Sequence, residues 1–119
     1  MKYVYASRTG NVESLIQKLG LDAQRIDSGS ETCDDDYVLF TYTDGYGDIP
    51  MEVDSFLMAN YNHLTGVVVS GSRDYGDAYC QAGDKIADMY DVPVLYKVEN
   101  DGTDEDVTAL KAALDLWSL

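Results

Sequence analysis

Only two cysteines, Cys33 and Cys80, occur in the 119 residues. Neither has the CxxC or CxxH spacing of a zinc site, and two distant cysteines make no disulfide framework. This usage fits a reducing cytosol, so a cytoplasmic location is expected. Cys80 reads as a small packing residue on a helix that follows Gly76, and Cys33, in a polar loop, as an exposed side chain. Long apolar runs are also missing: the apolar residues come in short blocks, far below the roughly 20 that a bilayer span requires. The start Met1-Lys2-Tyr3-Val4-Tyr5-Ala6 enters a strand-like run without the basic region and apolar stretch of an export signal. No membrane span and no export are expected.

Positive charge is scarce. Eight Lys and Arg stand against 22 Asp and Glu, a formal charge of −14, which argues against nucleic acid, whose phosphates need a basic surface to release counterions. Much of the excess is local, in Asp34-Asp35-Asp36 and between Asp101 and Asp106. Such runs make a solvated face, and they also allow steering toward a basic protein patch.

The length suits one packed core, and a single domain spanning 1–119 is expected. Strand-like runs occur at Lys2–Ala6, Ala23–Ile26, Tyr37–Tyr42, Gly66–Ser70 and Val94–Val98. Three of them are nearly continuous in apolar residues, as in strands buried on both faces. Helical spacing lies between them: Val12, Leu15, Ile16 and Leu19; Val53, Phe56 and Leu57; Tyr79, Ala82, Ile86 and Tyr90. A last stripe, Val107, Leu110, Leu114 and Trp117, begins after Thr103, a good amino-terminal cap with acidic residues behind it. Alternation of this kind predicts an α/β fold, a doubly wound five-stranded parallel sheet with helices on both sides. The stretch Asp27–Asp36 is polar and reads as a loop where a crossover helix is usual.

In such a sheet, ligands bind outside the carboxyl ends of the strands, where the strand order reverses. Three loops meet there. Ser7-Arg8-Thr9-Gly10-Asn11-Val12 places a glycine and short polar donors at a helix amino terminus, where the dipole favours an anion. It lacks the GK[ST] and GxGxxG patterns, so it suits a monophosphate held by neutral donors, although an ordinary strand-to-helix turn has the same ingredients. The second loop runs from Thr41 through Thr43, Asp44, Gly45, Tyr46, Gly47 and Asp48 to Pro50. The third contains Ser72, Arg73, Asp74, Tyr75, Gly76 and Asp77. Each frames an aromatic residue with glycines, and Tyr75 is placed to cover a flat ring or to be a plain surface tyrosine. One phosphate loop and two glycine-aromatic loops on a single edge match the shape of flavin mononucleotide, FMN.

With these loops on the page, the sequence resembles the NrdI family of flavodoxin-like proteins. The likeness rests on Ser7 to Val12, Tyr42 to Pro50, Gly66 to Asp77, Ala82-Gly83-Asp84-Lys85-Ile86, Val92-Pro93-Val94 and Gly102-Thr103. It departs from the family pattern at Ser72, Tyr75 and Cys80. The resemblance implies a flavodoxin-like fold with FMN held through Ser7, Arg8, Thr9, Gly10, Asn11 and Val12. The flavin ring is then expected between Thr43, Asp44, Gly45, Tyr46 and Gly47 on one side and Ser72, Arg73, Asp74, Tyr75, Gly76 and Asp77 on the other. It further implies a redox accessory protein that receives electrons from a flavodoxin reductase or similar source. Its partner is the dimanganese, NrdF-like small subunit of class Ib ribonucleotide reductase, to which it supplies superoxide or a related oxidant for tyrosyl-radical assembly. The protein itself is expected to carry no metal, and His63 reads as a surface residue.

Two other readings share the topology. A generic flavodoxin carries single electrons with the same loops and a different partner. A phosphoacceptor receiver domain needs an acidic pair after the first strand to hold magnesium, and the sequence there is Ala6-Ser7-Arg8.

Overall fold

The computed structural model describes residues 1–118. Five parallel strands, β1 (Lys2–Tyr5), β2 (Gln24–Arg25), β3 (Tyr37–Tyr42), β4 (Leu64–Gly71) and β5 (Val94–Glu99), form one sheet in the order β2-β1-β3-β4-β5. Four helices cover it: α1 (Asn11–Leu19), α2 (Met51–Asn60), α3 (Gln81–Tyr90) and α4 (Asp104–Trp117). The strand order reverses beside β1, between it and β3, which is where an open sheet of this kind leaves a ligand crevice. The doubly wound α/β sheet is as the sequence predicts.

Strand periodicity sorts the core into two layers. Tyr37 and Leu39 of β3 face one side with Val53, Phe56 and Leu57 of α2 and Ile86 of α3. Val38 and Phe40 face the other, with Val12, Leu15, Ile16 and Leu19 of α1 and Leu110 and Leu114 of α4. All four β3 side chains are fully buried, which explains a strand with no polar alternation. Truncating Phe56, fully buried against Tyr37 in an edge-to-face pair at 5.6 Å, would cost about 3–5 kcal/mol.

The α4 cap forms as expected. The Thr103 hydroxyl accepts the Asp106 N–H at 3.2 Å, and the Asp106 carboxylate accepts the Thr103 N–H at 2.9 Å. This reciprocal box satisfies two orphan donors.

Residues 27–36 form no helix, and Asn60 ties them down instead. Its side-chain oxygen accepts the Cys33 N–H at 3.0 Å, and its amide donates to the carbonyls of Glu31 at 3.0 Å and Phe56 at 2.9 Å. This contact corrects one expectation: Cys33 is buried, at 8% exposure, because the anchored loop folds it onto the α2 core. Cys80 is a packing residue, fully buried, but precedes α3 in a left-handed conformation rather than lying on it. Burial pushes its thiol up to about 11. Tyr79 also lies before α3, and Trp117 remains 37% exposed. The packed stripe of α4 is therefore carried by Leu110 and Leu114.

Candidate functional site

At the carboxyl ends of β1, β3 and β4 the three loops enclose a cavity of about 270 Å³, open to solvent, whose lining includes Ser7, Thr9, Asn11, Thr43, Gly45, Ser72 and Tyr75. The size is just under the roughly 300–1,000 Å³ of small-molecule sites.

Its first wall is the turn into α1. Gly10 holds φ at +94°, a conformation that costs a side-chain-bearing residue strain and lets the chain wind directly into the helix. Ser14 closes the first helical bond onto the Gly10 carbonyl at 2.9 Å. Ser7 is buried and its hydroxyl oxygen accepts the Glu13 N–H at 3.3 Å. Among the described residues the N–H groups of Asn11 and Val12 and the side chains of Thr9 and Asn11 have no protein partner. A helix amino terminus with free donors beside a cavity is an anion cradle.

The second wall is the turn Asp44–Asp48. The Asp44 N–H donates to the Asp48 carbonyl at 2.9 Å and the Asp48 N–H to the Asp44 carbonyl at 2.7 Å. Thr43 ties the wall to β4 by donating to the Ser70 carbonyl at 3.0 Å. Arg8 reaches across from the first loop to the Asp44 carboxylate at 2.6 Å, with its guanidinium 5.0 Å from the centre of the Tyr42 ring. The Asp44 bond, then the electrostatic influence of the Tyr42 phenol group, holds the Arg8 pKa above its ordinary value. The Tyr42 phenol, half-buried and donating to Glu52 at 2.7 Å, is also shifted upward, by desolvation first and then by that carboxylate.

The third wall is the 3-10 segment Arg73–Ala78. Ser72 accepts the Asp74 N–H at 3.2 Å, and the Tyr75 N–H donates to the Ser72 carbonyl at 3.2 Å, which brings Tyr75 to the cavity. Arg73 turns the other way. Its guanidinium lies 4.7 Å from the centre of the Tyr79 ring and 3.8 Å from the Glu99 carboxylate.

Of the residues singled out in the sequence, the structure brings Ser7, Arg8, Thr9, Asn11, Val12, Thr43, Gly45, Ser72 and Tyr75 to one cavity. Gly10, Asp44 and Gly47 shape its walls from behind, Tyr46 leans on Tyr75 at the mouth, and Arg73, Asp74, Gly76 and Asp77 lie off the lining. Tyr42, Ser70, Gly71 and Ala78 also line it, in loops the sequence placed at this edge without naming them as cofactor contacts, and sequence reasoning missed Asn100 altogether. Asn100 comes from a fourth loop, after β5. Its backbone has φ +54° and is pinned by a Ser70 hydroxyl donating to its carbonyl at 2.5 Å. The signal available was its place at the end of the fifth strand.

The strand order, the anion cradle after β1 and the two loops after β3 and β4 define a flavodoxin-like protein. The NrdI flavodoxin-like family model matches residues 3–112, and the chain belongs to that family. It is 39% identical over 107 residues to the NrdI protein of Bacillus licheniformis, covering 90% of this chain and 82% of that one. It is 41% identical over 118 residues to the NrdI protein of a Ruegeria species, covering 92% and 84%. Among solved structures it resembles a short-chain flavodoxin associated with a non-canonical PDU bacterial microcompartment. That likeness has a TM-score of 0.68 and 24% identity, over 98% of this chain and 95% of that one. The two-electron-reduced Megasphaera elsdenii flavodoxin gives a TM-score of 0.65 and 17% identity over 97% and 99%. At these identities the structures speak for the fold alone.

Fold and family imply a flavin cofactor. The residues present fit one: neutral donors at the α1 terminus suit a phosphate, and the Asp44 carboxylate of the adjoining wall is neutralised by Arg8.

Proposed function

We propose that the cavity binds FMN and that the chain serves, in the cytoplasm, as the flavoprotein partner of a class Ib ribonucleotide reductase small subunit. The observation that supports this reading is the convergence of three loops on one cavity, with a phosphate cradle of mainly neutral donors at one end and Tyr75 and the Gly45 turn at the other. Family membership adds the partner, because the NrdI resemblance implies a dimanganese, NrdF-like subunit. FMN bound there would supply the redox chemistry, the reduction of dioxygen to superoxide or a related oxidant with electrons from a flavodoxin reductase or similar donor.

The chain's own residues bind, orient and expose. Asn11 and Val12 N–H groups, with Thr9, Asn11 and Ser7, hold the phosphate at the positive end of α1. The Asp44–Asp48 turn and Tyr75 confine the flat ring between them. Tyr46 and Asp48, both strongly exposed, rim the mouth that the partner covers. The test is tyrosyl-radical yield by electron paramagnetic resonance after oxygen is added to the reduced protein with its manganese-loaded subunit. Yield well above that of free reduced FMN at equal concentration supports the role; an equal yield assigns the chain to general electron carriage.

A further inference from the structure

The turn Asp44–Asp48 is gripped from two sides, by the phosphate loop and by α3. Its own closure is made by backbone, with Asp44 and Asp48 facing each other as an isolated antiparallel bridge. Their side chains reach outward to different elements. Asp44 takes Arg8 of the phosphate loop at 2.6 Å, and Asp48 lies 3.6 Å from the Lys85 ammonium on α3. Gln81, one helical turn before Lys85 on the same face of α3, packs against the backbone of Gly47. A Cβ at Gly47 would stand 3.0 Å from the Gln81 Cβ.

We propose that Lys85 and Arg8 form a two-sided electrostatic clamp on the Gly45 turn, with Lys85 a positioning residue that acts through Asp48. The consequence for redox behaviour rests on the FMN reading above; the clamp itself does not. All four charged side chains are well exposed, from 38% for Asp44 to 76% for Asp48. Exposed pairs are individually weak and screened by salt. The turn is therefore held in place without being locked, and Gly45 and Gly47, at φ +49° and +106°, give it backbone freedom. Charge is concentrated where it acts, since two of the eight basic residues grip one five-residue turn.

The experiment is amide exchange by NMR on the full chain, with FMN and without it, in Lys85→Gln, Asp48→Asn, the double variant and Lys85→Arg. The clamp predicts that Lys85→Gln speeds exchange of the Asp44 and Asp48 amides about two- to fivefold. Asp48→Asn changes charge in the opposite sense yet gives the same acceleration. The double variant goes no further, and Lys85→Arg restores the wild-type rate. Added NaCl speeds these amides in the wild type and not in Lys85→Gln. In FMN-loaded protein both single variants shift the midpoint potential in one direction, whereas charge removal alone shifts them in opposite directions. Opposite shifts, additive single effects, or amides indifferent to salt overturn the clamp. Expected exchange behaviour in a chain that takes up no FMN upholds the clamp and removes the FMN reading.

Discussion

Tyr46 and Tyr75 meet edge to face, with ring centres 5.2 Å apart and planes at 83°. They come from different loops, and only Tyr75 lines the cavity. The pair therefore joins the second and third walls at the mouth, with Tyr46 as an outer brace at 79% exposure. Aromatic contacts of this kind contribute about 0.5–1.5 kcal/mol. Tyr75→Ala is expected to weaken FMN binding about three- to tenfold in a fluorescence titration, and Tyr46→Ala to weaken it less. Tyr46→Arg should leave FMN bound and lower the affinity for the reductase subunit, because it sets an unmatched cation in the docking mouth. Undiminished subunit affinity would place docking elsewhere.

Gly10 offers a cleaner test of the cradle. Nothing lies within 4 Å of a Cβ built there, so the obstacle to substitution is its φ of +94° and not space. A β-branched residue in that conformation costs about 1–3 kcal/mol. Gly10→Val is expected to keep the far-ultraviolet circular dichroism of the native fold while FMN affinity falls roughly tenfold or more. FMN affinity equal to the wild type would show that the phosphate is held elsewhere.

The two glycines of the second wall should differ. Gly47 has φ +106° and Gln81 against it, while the only neighbour of a Cβ at Gly45 is the Asp48 carboxylate at 3.8 Å, with φ at a milder +49°. Gly47→Ala is therefore expected to shift the one-electron potentials of bound FMN more than Gly45→Ala. Potentiometric titration of both variants measures this, and the reverse order would place the moving part of the turn at Gly45.

Asn60 is expected to be a stability residue. Asn60→Leu leaves the Cys33 N–H and the Glu31 carbonyl without their partner, at about 1–3 kcal/mol for each buried group. A fall of about 2–4 kcal/mol in urea unfolding, with loosened exchange across residues 27–36, is the expected result. A midpoint unchanged from wild type would mean that the loop is anchored by other contacts.

Glu31 gives the chain an acid-sensitive tie. Its carboxylate accepts the N–H groups of Asp27 at 2.8 Å, Ser28 at 3.1 Å and Gly29 at 2.8 Å. These bonds, Asp27 first, lower its pKa to about 2. A depressed folded-state pKa adds stability that is fully present above the unfolded value of roughly 4.3 and is lost as pH falls toward about 2. The residue is only half-buried, so solvent screening keeps the gain small. Glu31→Gln should flatten the slope of stability against pH in that window, lowering stability slightly at neutral pH and converging on the wild type in acid. An unaltered acid slope would show that other carboxylates set it.

Much of this was legible in the chain itself. Buried strands such as Tyr37–Tyr42 and stripes such as Val12, Leu15, Ile16 and Leu19 carry their periodicity in consecutive residues, and the α4 cap needs only Thr103 and Asp106, three positions apart. The turn from β1 into α1 was readable for the same reason, since Ser7 to Val12 are consecutive residues. What the sequence could not contain was decided by contacts across long separations. Asn60 buries Cys33 from 27 residues away. Glu99 and Tyr79 draw Arg73 off the cavity that its neighbours Ser72 and Tyr75 line, and β5 delivers Asn100 to that cavity beside β4. Local pattern fixes which backbone conformations a segment favours, but the direction of a long side chain and the neighbours of a loop follow from which strands the sheet places side by side.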